Sequence, residues 1–177
     1  GKIGVGGIYE KDVNLAISVK LKKLLEQSGI TVIMTRSDDN GLYNESDTNK
    51  KASDMKKRCS IINESNADAV VSIHQNSYVS GESRGAQVFY YKQSAEGKKL
   101  AGIIQRHIVN EADTTNKRVE KADSTYYLLL HTNVPAVIVE CGFLSNPEEA
   151  GRLNSDSYQQ KIAGSIYNGL MEYLTNQ

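Results

Sequence analysis

The residues best suited to chemistry are His74, Glu140 and Glu10, which stand at the ends of predicted strands or at the start of a predicted helix. His74 lies in segment 69–77, whose first five residues suit a buried strand and whose last four are polar. Glu140 closes the apolar segment 135–140. Since open α/β sheets place their ligands at the carboxyl ends of strands, we expect His74 and Glu140 to meet at one edge.

A His and a carboxylate from separate elements are typical of a hydrolytic zinc site, which uses three protein ligands and leaves a fourth position for water. A further carboxylate that does not bind the metal serves as general base, a role that fits Glu140. Each residue also has a structural interpretation. His74 could end a strand and bond the next loop, Glu140 could cap the following turn, and Glu10 could be favoured by the helix dipole.

The elements that would position these residues follow from hydrophobic periodicity and turn residues. Helices are predicted at 10–28, 52–65, 97–111, 126–131 (a short helix or turn), from 147, and from 156. Strands are predicted at 30–35, 69–77, 85–91 and 135–140, with polar loops at 36–51 and 113–124. This alternation of helices and strands predicts an α/β layer fold.

Composition narrows the class of protein. The 177 residues favour one domain, and 21 basic against 21 acidic residues give a formal net charge of zero. No basic tail is present, which argues against nucleic acid as a partner. No apolar run reaches the roughly 18 residues that would predict a transmembrane helix.

The two cysteines are too few for a disulfide framework, and both are predicted to be reduced and unpaired. Cys59 falls on the apolar stripe of a helix and is expected in the core. Cys141 with His74 offers an alternative, a cysteine hydrolase. Two arguments oppose it: the adjacent Glu140 would raise the pKa of the thiol, and neighbouring strand residues point to opposite faces.

Two other features have simpler interpretations. His107 lies in the middle of a predicted helix without an acidic ladder at metal spacing, which favours a structural role. The loop at 36–51 is long, polar and without periodicity, and we expect it to form a mobile rim of the cleft.

Three segments together resemble a known family: GIYEKDVNLAISVKLKKLLE at 7–26, SIHQN at 72–76 and PAVIVECGFLSNPEE at 135–149. They are similar to the zinc-dependent N-acetylmuramoyl-L-alanine amidases of bacterial cell walls, of the amidase-3 type. The resemblance extends from about residue 7 to residue 174. Within the family it is nearest to the compact amidases of spore-forming Gram-positive bacteria, including those of spore cortex maturation.

The resemblance implies roles for matching positions. Glu10 and His74 would be zinc ligands, Glu140 the catalytic carboxylate, and Asn76 a residue that lines the site and contacts substrate. The implied cofactor is Zn²⁺. The implied fold is an α/β domain over residues 1–177, with a twisted, mostly parallel six-stranded sheet covered by helices on both faces.

One departure from the family concerns the first zinc ligand. The family opens with a strand that ends in Asp-Pro-Gly-His-Gly-Gly, and the His of that segment is a ligand. This sequence starts after that point, so we expect the first strand and a ligating His to lie upstream of Gly1, with the domain incomplete at its N-terminus. The alternative is a catalytically degenerate peptidoglycan-binding domain that lacks this ligand.

The implied activity is hydrolysis of the amide bond between N-acetylmuramic acid and L-alanine, for remodelling of the cell wall or spore cortex. The implied location is outside the cytoplasm, in the cell wall or the forespore intermembrane space. The resemblance leaves open a regulatory protein partner.

Overall fold

The computed structural model of the chain describes residues 1–176. Within this range the helices are α1 (Glu10–Gln27), α2 (Lys50–Glu64), α3 (Ala95–His107), α4 (Tyr127–His131), α5 (Pro147–Leu153) and α6 (Asp156–Thr175). The strands are β1 (Val70–Asn76), β2 (Gln87–Tyr91), β3 (Lys121–Asp123) and β4 (Ala136–Phe143). A 3₁₀ turn, Val5–Gly7, precedes α1, and a π-helical turn, Ile108–Ala112, extends α3. No helix in residues 1–176 combines the length and apolar character needed to cross a membrane.

The strands form one sheet in the order β1-β4-β2-β3. β1 pairs with β4 in parallel, β4 with β2 antiparallel, and β2 with β3 in parallel. The predicted α/β class is therefore confirmed, with a mixed sheet. The six strands implied by the family resemblance are not reproduced: residues 1–176 form four, and one of the three pairings is antiparallel.

Segment 30–35, predicted as a strand, has no regular secondary structure and forms no strand pairing within the described chain. Ile30 and Val32 pack against the main core, whereas Ile33 is 56% exposed. The strand prediction at 30–35 is therefore wrong. A β-branched composition favours a strand, but a strand also needs a hydrogen-bonded neighbour, and none of the four strands supplies one.

Strand β3 lies in a segment for which the sequence predicts a polar loop and no strand. Its three residues pair with Phe89–Tyr91 of β2 although none of them is buried. Backbone pairing at a sheet edge needs no apolar side chains, so hydrophobic periodicity could not indicate it.

β4 is the centre of the fold, and all eight of its residues are buried. Val137, Val139 and Cys141 face a core built with α1, α3, α5 and α6. Ala136 and Ile138 face a smaller core built with α2 and α4. The alternation confirms that helices cover both faces of the sheet, and it assigns even-numbered residues of β4 to the α2/α4 side.

The first helix ends as its sequence predicts. Gly29, just past α1, has φ = +79°, the left-handed conformation that glycine adopts without a steric penalty. Its N–H donates to the carbonyl of Glu26, and the N–H of Ile30 donates to the carbonyl of Leu25. These two carbonyls of the last helical turn therefore have hydrogen-bond partners.

Candidate active site

Glu10 and His74 contact each other. Glu10 is the first residue of α1 and is only 7% exposed. Its Oε1 lies 3.1 Å from Nδ1 of His74 and accepts a longer bond, 3.4 Å, from the backbone N–H of Gln75. Its Oε2 accepts a 2.7 Å hydrogen bond from the backbone N–H of Lys2. The chain start and the end of β1 thus hold both carboxylate oxygens in place.

These contacts determine the charge of Glu10. Burial alone would raise the pKa of its carboxyl, but the hydrogen bonds from His74 and from the N–H of Lys2 outweigh burial and lower the pKa to about 2. Glu10 is therefore a buried carboxylate that stays ionised at neutral pH. Its neighbour His74 has a side chain that is 44% exposed, so the pair is open to the surface on the imidazole side.

Glu140 lies beside His74 in the sheet. The two residues are direct partners in the parallel register of β1 and β4, and neighbouring strands lie about 4.8 Å apart. Both project on the α2/α4 side of the sheet. The sequence predicts that the strand ends at Glu140, but β4 continues to Phe143, which pairs with Asn76. The register shifts by one residue between these two pairs, because two residues of β4 lie opposite the single residue Gln75 of β1.

Only one oxygen of the Glu140 carboxyl group has a hydrogen-bond partner in the described chain. Its Oε1 accepts a 3.1 Å hydrogen bond from the Tyr126 hydroxyl, whereas its Oε2 is buried and has no hydrogen-bond partner within residues 1–176. Burial raises the pKa of Glu140 above its usual range, although the nearby His74 and the Tyr126 hydroxyl act in the opposite direction. This carboxyl is therefore a stronger base than an exposed glutamate.

Asn76, predicted to line the site, ends β1 two residues after His74. Its side-chain oxygen accepts a 2.8 Å hydrogen bond from the backbone N–H of Ser77, and its backbone carbonyl accepts one of 2.9 Å from Leu144. In the described chain Asn76 makes no hydrogen bond to Glu10, His74 or Glu140. It lies at the same edge as these residues without being part of their network.

The cysteine-hydrolase alternative is wrong on geometric grounds. Cys141 is fully buried in the core on the opposite face of β4 from Glu140, and its thiol contacts the carbonyl of Val139 at 3.7 Å. Burial, with the charge of Glu140, raises the pKa of the thiol. Cys59 is also buried, and neither cysteine forms a disulfide in the described chain, as predicted.

The two other histidines lie apart from this site. His107 contacts Glu111 at 2.6 Å and Glu172 at 2.8 Å, one carboxylate on each ring nitrogen. From the sequence we identified no acid at suitable spacing from His107, but Glu111 lies four residues further on, one helical turn away. The contact with Glu172 links α3 to α6 and agrees with a structural role for His107. His131 stacks on the ring of Tyr127 with centroids 3.8 Å apart. No cluster of three His, Cys, Asp or Glu suited to a metal occurs in residues 1–176.

The loop at 36–51 is tied to both neighbouring helices. Arg36 donates to the carbonyl of Lys11 in α1 at 2.7 Å, and Lys11 forms an ion pair with Asp39. The N–H of Leu42 donates to Asp54 of α2 at 2.8 Å. The last two residues of the predicted loop belong to α2, which begins at Lys50.

The contacts of two further residues near this edge of the sheet were not predicted from the sequence. One is Tyr126, which was predicted only as part of a short helix or turn. The other is Glu149, whose buried carboxylate accepts the N–H groups of Gly85 and Phe143, each at 2.8 Å. Glu149 thereby joins the loop before β2 to the end of β4. The sequence before Tyr126, Asp123-Ser-Thr, is typical of a turn and is the one local pattern that points to this residue. It predicts a fixed backbone at Tyr126, but it does not predict which group the hydroxyl binds.

A comparison with protein families matches residues 1–172 to a family described as N-acetylmuramoyl-L-alanine amidase. Among curated proteins, the germination-specific N-acetylmuramoyl-L-alanine amidase of Bacillus subtilis is 37% identical over 180 residues, covering 100% of this chain and 75% of the relative. N-acetylmuramoyl-L-alanine amidase LytC of the same organism is 31% identical over 175 residues, but the match covers only 32% of LytC.

Solved structures agree with this match. The CwlD amidase from Clostridioides difficile, solved in complex with the GerS lipoprotein, has a TM-score of 0.96 and 42% identity, covering 100% of this chain and 92% of that one. The amidase AmiC2 of Nostoc punctiforme has a TM-score of 0.86 and 32% identity, covering 99% of this chain and 89% of that one.

Proposed function

The chain belongs to the N-acetylmuramoyl-L-alanine amidase family, and we propose that it is a zinc hydrolase of peptidoglycan. The bond cleaved would be the amide that joins the lactyl group of N-acetylmuramic acid to L-alanine. The observation that carries this proposal is the side-by-side position of the Glu10–His74 pair and the buried carboxyl of Glu140 at one edge of the sheet.

Glu10 and His74 fit two positions of a zinc site. Their contacting atoms, a carboxylate oxygen and an imidazole nitrogen, are of the types that zinc binds, and they lie 3.1 Å apart. Together they would supply two of the three protein ligands of such a site. The third ligand, a His expected upstream of Gly1, stays a prediction.

Bound zinc would lower the pKa of a coordinated water and polarise the substrate carbonyl. The remaining chemistry belongs to Glu140. Its free Oε2 would take a proton from the attacking water while the water oxygen bonds to the carbonyl carbon. As the C–N bond breaks, the same oxygen would return the proton to the nitrogen of L-alanine, which leaves as a neutral amine.

The environment of Glu140 suits both halves of this proton transfer. A general base works best when its pKa is near the working pH, and burial shifts the pKa of Glu140 upward in that direction. The strand position also matters, because β4 is buried along its whole length and holds the carboxyl rigidly.

A second candidate function is binding of peptidoglycan without cleavage. One observation favours it: residues 1–176 bring together two candidate ligands rather than three. Zinc content and peptide release in the full-length protein separate the two functions, because the binding domain would retain peptidoglycan on sedimentation while releasing no peptide.

The biological setting is also a proposal. The germination-specific relative from Bacillus subtilis supports a role at the spore cortex, and cell-wall amidases among the relatives support action outside the cytoplasm. The similar Clostridioides difficile amidase was solved with a lipoprotein, which supports a protein partner for this chain as well. Peptidoglycan itself, through its muramic acid-linked stem peptides, would be the substrate.

The direct experiment measures release of peptide amino groups from purified peptidoglycan by the full-length protein and by Glu140→Gln. The variant should keep its zinc and its fold but lose at least about 10²-fold in turnover, the usual contribution of a general acid–base. Glu148→Gln is a matched control, since the side chain of Glu148 is 67% exposed at the surface. Near wild-type cleavage by a zinc-loaded Glu140→Gln would remove Glu140 from the mechanism, and new N-terminal L-alanine identifies the bond.

A further inference from the structure

The side chain of Tyr126 is the single hydrogen-bond donor to the carboxyl of Glu140 in the described chain. Its hydroxyl lies 3.1 Å from Oε1, whereas Oε2 is buried and has no partner within residues 1–176. The two oxygens of one carboxyl group are therefore not equivalent. One is bound by the Tyr126 hydroxyl, and the other is buried without a partner in the described chain.

The direction of the hydrogen bond is set by the state of the phenol. Burial and the nearby Glu140 carboxylate raise the pKa of Tyr126. The phenol accordingly keeps its proton at neutral pH and donates it to Oε1. It is not available to carry away the proton that Glu140 takes from water.

Tyr126 is itself held from two sides. Oδ1 of Asp123 accepts the backbone N–H of Thr125 at 2.6 Å and that of Tyr126 at 3.0 Å, which fixes the chain where β3 leads into α4. The ring of Tyr126 packs edge-on against Phe89 of β2, with centroids 5.5 Å apart and an interplanar angle of 61°. Because the ring is held in this way, its hydroxyl can fix the orientation of the group that it binds.

We propose that Tyr126 is the positioning residue of the general base. It would bind Oε1 of Glu140 and so direct Oε2 toward the attacking water and the leaving nitrogen. This role rests on the proposed function of Glu140. Without the hydroxyl, the plane of the carboxyl group could turn away from this orientation, and fewer of the bound complexes would be aligned for proton transfer.

The kinetic test compares Tyr126→Phe with Tyr127→Phe in the zinc-loaded full-length protein on a soluble muropeptide. Tyr126→Phe removes the hydroxyl but keeps the ring against Phe89. It should lower kcat roughly tenfold, the value of one hydrogen bond, with KM, zinc content and melting temperature little changed. Tyr127 is the matched control, since its ring stacks on His131 instead. An effect on KM alone, or equal losses in both variants, would refute the proposal.

A double variant separates positioning from independent catalysis. If Tyr126 acts through Glu140, adding Tyr126→Phe to Glu140→Gln should cause no further loss of kcat. A further tenfold loss would mean that the hydroxyl touches substrate directly, contrary to the proposal.

A structural measurement keeps the inference testable if the proposed function fails. Crystal structures of the full-length wild type and of Tyr126→Phe should show the Glu140 carboxyl in one orientation in the first, and rotated or in two orientations in the second. The same single orientation in both would overturn the positioning role. An inactive wild type with an ordered carboxyl would instead count against the amidase function alone.

Discussion

Nδ1 of His74 lies 3.1 Å from Oε1 of Glu10, although the two residues are 64 positions apart in the chain. The contact joins the first turn of α1 to the end of β1, so folding alone brings two candidate metal ligands together. Organising these two ligands would then cost little at the moment of metal binding, because the fold has already positioned them.

Removing the imidazole should therefore remove the metal. We expect His74→Ala to lose most of its zinc and most of its activity, because one of the proposed protein ligands disappears and Glu10 loses its partner. Elemental analysis of the purified full-length protein, together with peptide release, measures both effects. His131→Ala is the control, since His131 stacks on Tyr127 away from the site. Full zinc occupancy in His74→Ala would contradict the proposed ligand set.

The state of the cysteines gives a second prediction. Thiol titration of residues 1–177 under denaturing, non-reducing conditions should find two free thiols per chain, because Cys59 and Cys141 are unpaired. In the native protein both should react slowly with iodoacetamide, since both are buried and their pKa values are raised. Rapid alkylation of native Cys141 with loss of activity would revive the cysteine-hydrolase hypothesis.

The His107 cluster should make stability depend on pH. Burial alone would lower the pKa of His107, but Glu111 and Glu172 outweigh it and raise the pKa above its ordinary value of 6.5. The protonated imidazole therefore stabilises the folded state below about pH 6.5, and this contribution is lost as the pH rises through the raised folded-state pKa. Wild type should exceed His107→Gln in melting temperature by roughly 1–3 °C at about pH 6 and by less at about pH 9.

The outcome that contradicts this prediction is a difference in melting temperature between wild type and His107→Gln that stays the same from about pH 6 to about pH 9. A constant difference would show that the ion pairs of His107 with Glu111 and Glu172 contribute nothing to folding.

The loop at 36–51 stays a predicted rim of the cleft. Shortening it between Asn40 and Asp47 should change preference among muropeptides more than it changes stability, because its anchors through Arg36 and Asp39 would be retained. Rates on muropeptides of different stem length, with the melting temperature of each variant, measure the two effects. A fall of more than about 10 °C would show that the loop is packed structure.

The hydrophobic pattern of the sequence was sufficient to predict the two strands that carry His74 and Glu140. The strand before His74 and the apolar run before Glu140 were predicted from composition, and the structure pairs them in parallel at that register. β4 is buried as predicted, whereas β1 is mostly half-buried. Both strands pass through a hydrophobic core, and the requirement for apolar side chains there leaves a readable pattern.

The rest depends on contacts between distant segments. Tyr126 is one residue of a polar turn, and only the packing of α4 beside β4 brings its hydroxyl to Glu140. Glu149 has the same character, because its role is defined by the N–H groups of Gly85 and Phe143. Side chains that bind groups of a distant segment produce no periodic pattern in the sequence, so these contacts could not be predicted from it.

The position of β1 in the sheet has a consequence for the behaviour of these residues in concentrated solution. β1 pairs with β4 on one side, and no strand of residues 1–176 pairs with it on the other. An open strand edge is a template on which another chain can add. The formal net charge of zero at pH 7 provides no electrostatic repulsion to oppose such growth. We therefore expect residues 1–177 to aggregate most readily near neutral pH, through pairing of β1 strands from different molecules.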